Sequence, residues 1–331
     1  MEKFTLGRDE FTVEIWSRGA SVNDVRMPDR DGNLGSVVLG YAREEDRVAG
    51  RAYLGEICGP YANRIAAGGY VIDGVTHTPD LNDNGTATLH GGAHGWSTKD
   101  WEVDHADSRR VQLHLDWDGP GFPGPIHAEV TYRLDGWNLT HEVRATAQQS
   151  SVLSVVSHPY FNLSGTSNPI DDHELRVAAS RYLPVNQASI PLPTAPWLVH
   201  NTPFDFRRSQ LIGTALASKD SQIAASSGID HALIVDGVGP RFAARLSHPG
   251  TGRTLEIHTD YPALQVYTGQ GLNDPHVAHP IGAGIPRGGI ALETEEYPDA
   301  PRRPDFPSTL IREGQMYIRT TTWQFAVQTT S

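Results

Sequence analysis

Residues 127–141 read HAEVTYRLDGWNLTH. Ala128, Val130, Tyr132 and Leu134 fall at every second position of this stretch. A strand turns successive side chains to opposite faces, so the spacing predicts a strand with one buried face. Asp135–Gly136 ends it, a dipeptide suited to the positive φ of a two-residue hairpin turn, and strand-like sequence resumes beyond.

The same pattern extends outward from this hairpin. In VQLHLDWD (111–118), Val111, Leu113, Leu115 and Trp117 share a face, and near the C-terminus Tyr317, Trp323, Phe325 and Val327 share a parity. Asp-Gly recurs at 31–32, 73–74, 118–119 and 236–237, and Asn84–Gly85 adds another turn signal. Helical periodicity is scarce, with one short helix expected within RSQLIGTALA (208–217). GPGFPGPI (119–126) reads as a loop rather than a linker, because strand pattern flanks it. With no repeat and no low-complexity tract, the expectation is all-β: one large antiparallel β-sandwich domain over residues 1–331.

Composition narrows the function classes. A chain of 331 residues with 38% hydrophobic and 20% charged residues can bury a large core. A net charge of −12 repels phosphate backbones, which argues against nucleic acid as a partner. The lone Cys58 excludes an intramolecular disulfide and a cysteine-based zinc site, and reads as a small buried apolar residue. No apolar run approaches the ~18 residues that span a bilayer, and MEKFTLGRDEF lacks a signal-peptide core, so the expected location is the cytoplasm.

Six polar clusters interrupt apolar strand sequence. They hold Asn63 and Arg64 (GPYANRIAAGGY), His90, His94 and Trp96 (LHGGAHGW), and His158 (SHPYFNLSG). The others hold Asp230 and His231 (GIDHALIV), Gln265 and Tyr267 (LQVYTGQGLND), and Glu293 (IALETEEYPDA). Singly, each has a plain explanation: a hydrogen-bonded strand-end histidine, a surface ion pair, a turn cap, or a solvated acidic run for ETEE. Together they supply what a sugar site needs. Planar amides, guanidinium and carboxylates bind hydroxyls, aromatic rings such as Trp96, Tyr160 and Tyr267 pack on pyranose faces, and a carboxylate with an imidazole can share proton transfer. Pro159 restricts His158 to extended geometry and so aims its ring, with Tyr160 and Phe161 expected to wall the pocket.

These motifs, in this order, resemble the aldose 1-epimerase (galactose mutarotase) family. ANRI, LHGG, SHPYFNL, the Asp-His of GIDH, LQVYTG and LET…YPDA carry the likeness, with DGPGFPG and TPFDFR (202–207) in support. The resemblance covers about residues 10 to 328 and implies a large β-sandwich that interconverts the α and β anomers of free aldohexoses. It places the catalytic base on Glu293 and the acid on His158, with sugar ligands on Arg64, His90 and Asp230 and further candidates on Asn63 and Gln265. No cofactor or metal is implied, since only protons move. The expected partner is a monosaccharide, and the chain is expected to be a monomer or homodimer. The His158 imidazolium is expected to be supported by the charge of Glu293 or Asp230. The chain departs from the family pattern at Pro60, Asn186, Gln187, the IPLP loop and Glu295.

Three other readings compete. A hexose 6-phosphate epimerase would need two or more cations in the site, and the motifs hold only Arg64. A non-catalytic sugar-binding sandwich would not need both Glu293 and His158. A glycosidase could cast Asp230 and Glu293 as its carboxylate pair, but would leave two histidines idle.

Overall fold

The computed structural model describes residues 1–279, 282 and 284–328. Two antiparallel sheets form the body. The larger has nine strands, in the order 102–106, 110–117, 126–135, 138–147, 317–327, 253–259, 241–247, 174–177 and 210–211. The smaller has six, in the order 160–161, 290–295, 263–267, 230–235, 179–182 and 197–198. A four-stranded sheet from residues 3–8, 11–16, 21–28 and 34–36 packs at one side, where Phe11 stacks on Trp137 and contacts Phe325.

The alternating residues do what their spacing requires. Val111, Leu113, Leu115 and Trp117 pair in register with Tyr132, Val130, Ala128 and Ile126, and all enter the main core. Tyr317, Trp323 and Phe325 join them, with Val327 packed at the margin. Each large apolar side chain fully buried this way stabilises by about 1.5–3 kcal/mol. The smaller sheet closes the sandwich with Ile290, Leu292, Leu264, Val266 and Leu233, and Phe161 meets Trp323 edge-on at 5.4 Å. Thr294 and Thr321 hydrogen-bond at 2.7 Å between the two sheets.

Two expectations need correction. The helix sought over 208–217 is confined to Ile212–Leu216, because Gln210–Leu211 pairs instead with the strand at 174–177. Short helices also stand at Glu44–Ala49 and Ser221–Ser226, the second capped by the Asp220 side chain. The turn at Asp135–Gly136 is centred one residue later. Asp135 pairs with Asn138, so Gly136 and Trp137 are the loop residues, and Gly136 alone takes positive φ. Asp73–Gly74 behaves as read, both residues lying at positive φ. Among the described residues no helix is long and apolar enough to cross a membrane.

Candidate active site

The six-stranded sheet has two unlike faces, and the second carries the site. In the strand Ile290–Glu295, Ile290, Leu292 and Thr294 face the core, so Ala291, Glu293 and Glu295 face away from it. Glu293 lies opposite Gln265, which lies opposite Ala232. In the next row Tyr160, Ala291, Tyr267 and Asp230 stand side by side. Residues directly opposite across an antiparallel ladder point the same way, so Glu293, Gln265, Asp230, Tyr267 and Tyr160 share one face.

A second, smaller element supplies the facing side chains. Strands Arg64–Ala66 and Ala87–Leu89 pair with Arg64 opposite Leu89. At the end of that ladder Asn63 and His90 both adopt the left-handed conformation, with φ of 57° and 52°. Such a conformation costs about 1–3 kcal/mol for a non-glycine residue and persists where surrounding contacts fix it. Here the His90 N–H donates to the Asn63 carbonyl at 3.0 Å, and the Asn63 N–H donates to His90 Nδ1 at 3.2 Å. The glycines of LHGG serve the backbone: a Cβ on Gly91 would sit 2.0 Å from the Gly59 carbonyl oxygen. His158 is fixed through its main chain, donating to the Glu56 carbonyl and accepting from the Gly55 N–H.

All seven expected site residues, Asn63, Arg64, His90, His158, Asp230, Gln265 and Glu293, line one cavity of about 260 Å³. His158 Nε2 lies 3.4 Å from Glu293 Oε1, with both side chains buried. Arg64 Nε donates to Asp83 at 2.7 Å, and its Nη1 lies 3.6 Å from Asp230. Gln265 donates to the other Asp230 oxygen at 2.5 Å. Three buried atoms of these residues make no hydrogen bond among the described residues: His158 Nδ1, Glu293 Oε2 and Gln265 Oε1.

Burial sets the protonation of the pair. It raises the Glu293 carboxyl well above its usual range, with Asp230 adding to the rise and Arg64 opposing it. It lowers His158 to about 4, against the upward pull of its own carbonyl and of Asp230. Both shifts favour the neutral forms over the ion pair. The expectation of an imidazolium held by Glu293 or Asp230 is thereby corrected: desolvation outweighs that support. His90 is also held neutral, first by burial and then by His158 and Arg64. Its Nδ1 accepts from Asn63, so Nε2 carries the hydrogen and is a donor.

Donor atoms of His90, His158 and Glu293 lie within 4.8 Å of one another, the spacing of a potential cation site. The tautomer of His90 argues against that use. Its lone pair is committed to Asn63, leaving N–H rather than a ligand atom on the other nitrogen.

Other sequence expectations fall elsewhere. Trp96 is fully buried against Gly59 and Trp101, away from the cavity, because its ring fills space beneath the Gly59–Gly91 approach. Phe161 faces the core by strand parity, and only Tyr160 walls the cavity. ETEE is no solvated run: Glu293, Glu295 and Glu296 are all buried. Asp230 caps no turn and faces Arg64, while His231 points the other way to Gln222. Sequence reasoning missed Tyr53, whose ring lies 4.6 Å from that of His90, and Asp83, held by the Asn84–Gly85 turn that was itself legible. It also missed Arg51, Asn273 and Asp274 in the cavity wall, although the last two end the LQVYTGQGLND cluster.

Known proteins share the sequence and the fold. The aldose 1-epimerase family profile matches residues 2–324. Galactose mutarotase of Homo sapiens is 37% identical, with 99% of this chain and 94% of that protein covered. Aldose 1-epimerase of Escherichia coli is 33% identical over 96% of this chain and 92% of its own. The crystal structure of galactose 1-epimerase from Lactobacillus acidophilus superposes with a TM-score of 0.84 at 31% identity, covering 98% of this chain and 93% of that one. An aldose epimerase homologue from C. elegans shares the fold with a TM-score of 0.91 at 24% identity, covering 98% and 99%. By this profile match and these identities, the chain belongs to the aldose 1-epimerase family.

Proposed function

We propose that the protein is an aldose 1-epimerase that interconverts the α and β anomers of free aldohexoses such as galactose or glucose, with Glu293 as base and His158 as acid. The observation that carries this reading is the buried His158–Glu293 pair, 3.4 Å apart, in the wall of the cavity. Glu293 takes the proton of the C1 hydroxyl while His158 gives one to the ring oxygen. The C1–O5 bond opens to the aldehyde, rotation about C1–C2 presents the other carbonyl face, and the reversed transfers close the ring as the other anomer.

Proton bookkeeping explains why burial suits this chemistry. Ring opening consumes the ion pair and leaves a protonated Glu293 beside a neutral His158. That neutral pair is the state desolvation favours, so burial supports the side of the reaction that holds the open-chain sugar. Transfer of a proton from carboxyl to imidazole across the 3.4 Å gap forms the ion pair before ring opening, and the reversed transfers of ring closure regenerate it without exchange with solvent. Each positioned acid or base contributes about 10²–10⁴ in rate, so two acting together lower the barrier by roughly 5–11 kcal/mol.

The remaining groups bind and orient. Arg64, Asp230 and Gln265 form a planar polar network on one side, His90 donates from Nε2, and Tyr53, Tyr160 and Tyr267 offer apolar ring faces. A cavity of about 260 Å³ suits a monosaccharide better than a polymer. Both Asp230 oxygens are engaged, which disfavours a glycosidase role for it. Arg64 is committed to Asp83 and Asp230, and Arg51 Nη1 to the carbonyls of Val48, Ala49 and Gly50, which leaves few donors for a phosphate dianion. We place the enzyme in the cytoplasm as a monomer or homodimer, working as one domain. The free, buried Cys58 suits a reducing compartment.

Polarimetry on freshly dissolved α-D-galactose and α-D-glucose tests the reading. Faster decay of rotation with the protein than without is expected for at least one sugar. Spontaneous rates with both would overturn it.

A further inference from the structure

One wall of the cavity is not supplied by the six-stranded sheet or by the Asn63–His90 element. Arg51, Ala52 and Tyr53 come from the segment after the helix Glu44–Ala49, and Gly271 to Asp274 from the segment after the strand Ala263–Tyr267. Two loops far apart in sequence form this wall, so a specific contact must hold them in register. The Asp274 carboxylate is that contact. Its Oδ2 accepts from the Tyr41 hydroxyl and from the Arg51 N–H, both at 3.0 Å, and its Oδ1 accepts from the His276 N–H at 2.9 Å. The residue is buried, so these bonds form away from bulk water, where losing one leaves an unpaired polar group.

The surroundings have the build of a fixed support. Leu272 and Val277 pack with Tyr41, Leu39, Leu54 and Trp16 in an apolar cluster separate from the main core. A Cβ on Gly50 would lie 2.0 Å from the Tyr41 hydroxyl oxygen, so the tyrosine passes hard against the backbone on its way to Asp274. Asp46 Oδ1 adds a second tie between the helix and the loop, 3.4 Å from His276 Nδ1.

We infer that Asp274 is a positioning residue for substrate binding: it clamps the two outer loops and thereby fixes the wall that reads sugar hydroxyls. It sets affinity and sugar preference and leaves the proton transfers untouched. The inference rests on the aldose 1-epimerase reading of the cavity. An asparagine cannot replace the carboxylate, because three donors are divided between its two oxygens. An amide would set its NH₂ against at least one of them.

The test uses the full chain as wild type, Asp274→Asn and Tyr41→Phe, with circular dichroism as the check on folding. Equilibrium binding of D-galactose and D-glucose is measured by calorimetry, and KM and kcat by polarimetry. Asp274→Asn is expected to raise Kd and KM about tenfold with kcat within about twofold, and to change the galactose-to-glucose ratio of Kd. Tyr41→Phe removes one bond of the three and is expected to move Kd the same way, by about threefold. If Asp274→Asn does not fold, the Tyr41→Phe result decides. A fall in kcat at unchanged Kd, or unchanged Kd in the folded variants, would overturn the inference. Wild type that binds sugar without turnover would sink the epimerase reading while the Kd comparison still decides the role of the wall. Wild type that binds neither sugar would overturn both.

Discussion

Among the described residues stand two clusters of two histidines and one carboxylate, and they are built to opposite ends. In Asp172, His173 and His248 every ring nitrogen has a partner. His173 accepts from the Leu163 N–H at 2.9 Å and meets Asp172 at 3.0 Å; His248 accepts from the Thr251 N–H at 3.1 Å and meets the other Asp172 oxygen at 3.2 Å. Both tautomers are thus fixed with N–H toward the carboxylate, and the cluster ties the 170–173 segment to the 248–251 turn. In His90, His158 and Glu293 the histidine and carboxylate of the central pair each keep an atom without a partner. Burial lowers His173 and His158 alike, each to about 4. A shifted pKa therefore does not separate the two clusters. The cavity does: His90, His158 and Glu293 line it, and Asp172, His173 and His248 do not.

The contrast can be broken by substitution. His158→Asn should cost about 10²–10⁴ in kcat while the protein stays folded, as read by polarimetry and circular dichroism. Near-normal turnover would remove the acid from His158. His173→Gln, which keeps an acceptor for Leu163, should leave kcat within about twofold and cost about 1–3 kcal/mol of stability. Loss of turnover to the level of His158→Asn would erase the distinction. The pH dependence sharpens it. The folded pKa of His173 lies below the ordinary 6.5, so its stabilising contribution is full above pH 6.5 and is lost as pH falls toward about 4. The gap in Tm between wild type and His173→Gln should therefore narrow over that window. A gap that widens would contradict the assigned neutral histidine.

Glu295→Gln should have the smallest effect on turnover, within about twofold at neutral pH. Burial holds the Glu295 carboxyl well above 4.5, with Glu293 adding to the rise and the Asn63 hydrogen bond opposing it. A raised carboxyl contributes stability that is full below pH 4.5 and lost as pH rises toward the folded pKa. The variant lacks that loss, so its Tm relative to wild type should climb between about pH 4 and pH 8. A falling difference would mean that Glu295 is ionised in the folded protein.

Parity made most of the fold legible. Ala128 to Leu134 and Val111 to Trp117 announce buried faces because side-chain direction in a strand is a local property. The same parity makes sense of Glu293, since a carboxylate between Leu292 and Thr294 shares its face with Ala291 and not with the core. What stayed hidden depends on distant partners. Asp83 acquires meaning from Arg64, and Asp274 from Tyr41, more than 200 residues away in sequence. Trp96 was misread because an aromatic beside glycines can stack on a sugar or on the backbone, and only the Gly59 contact decides. The Gly136 turn was displaced because Trp137 packs on Phe11, a partner in another sheet.

The most direct measurement is turnover and sugar affinity of Glu293→Gln on α-D-galactose and α-D-glucose, beside wild type. The substitution removes the base and keeps the shape of a side chain that is buried. The predicted result is sugar Kd within a few-fold of wild type and kcat lower by about 10³ or more. Turnover within tenfold of wild type, at comparable affinity, would contradict the assignment of Glu293 and with it the shared-proton account of the site.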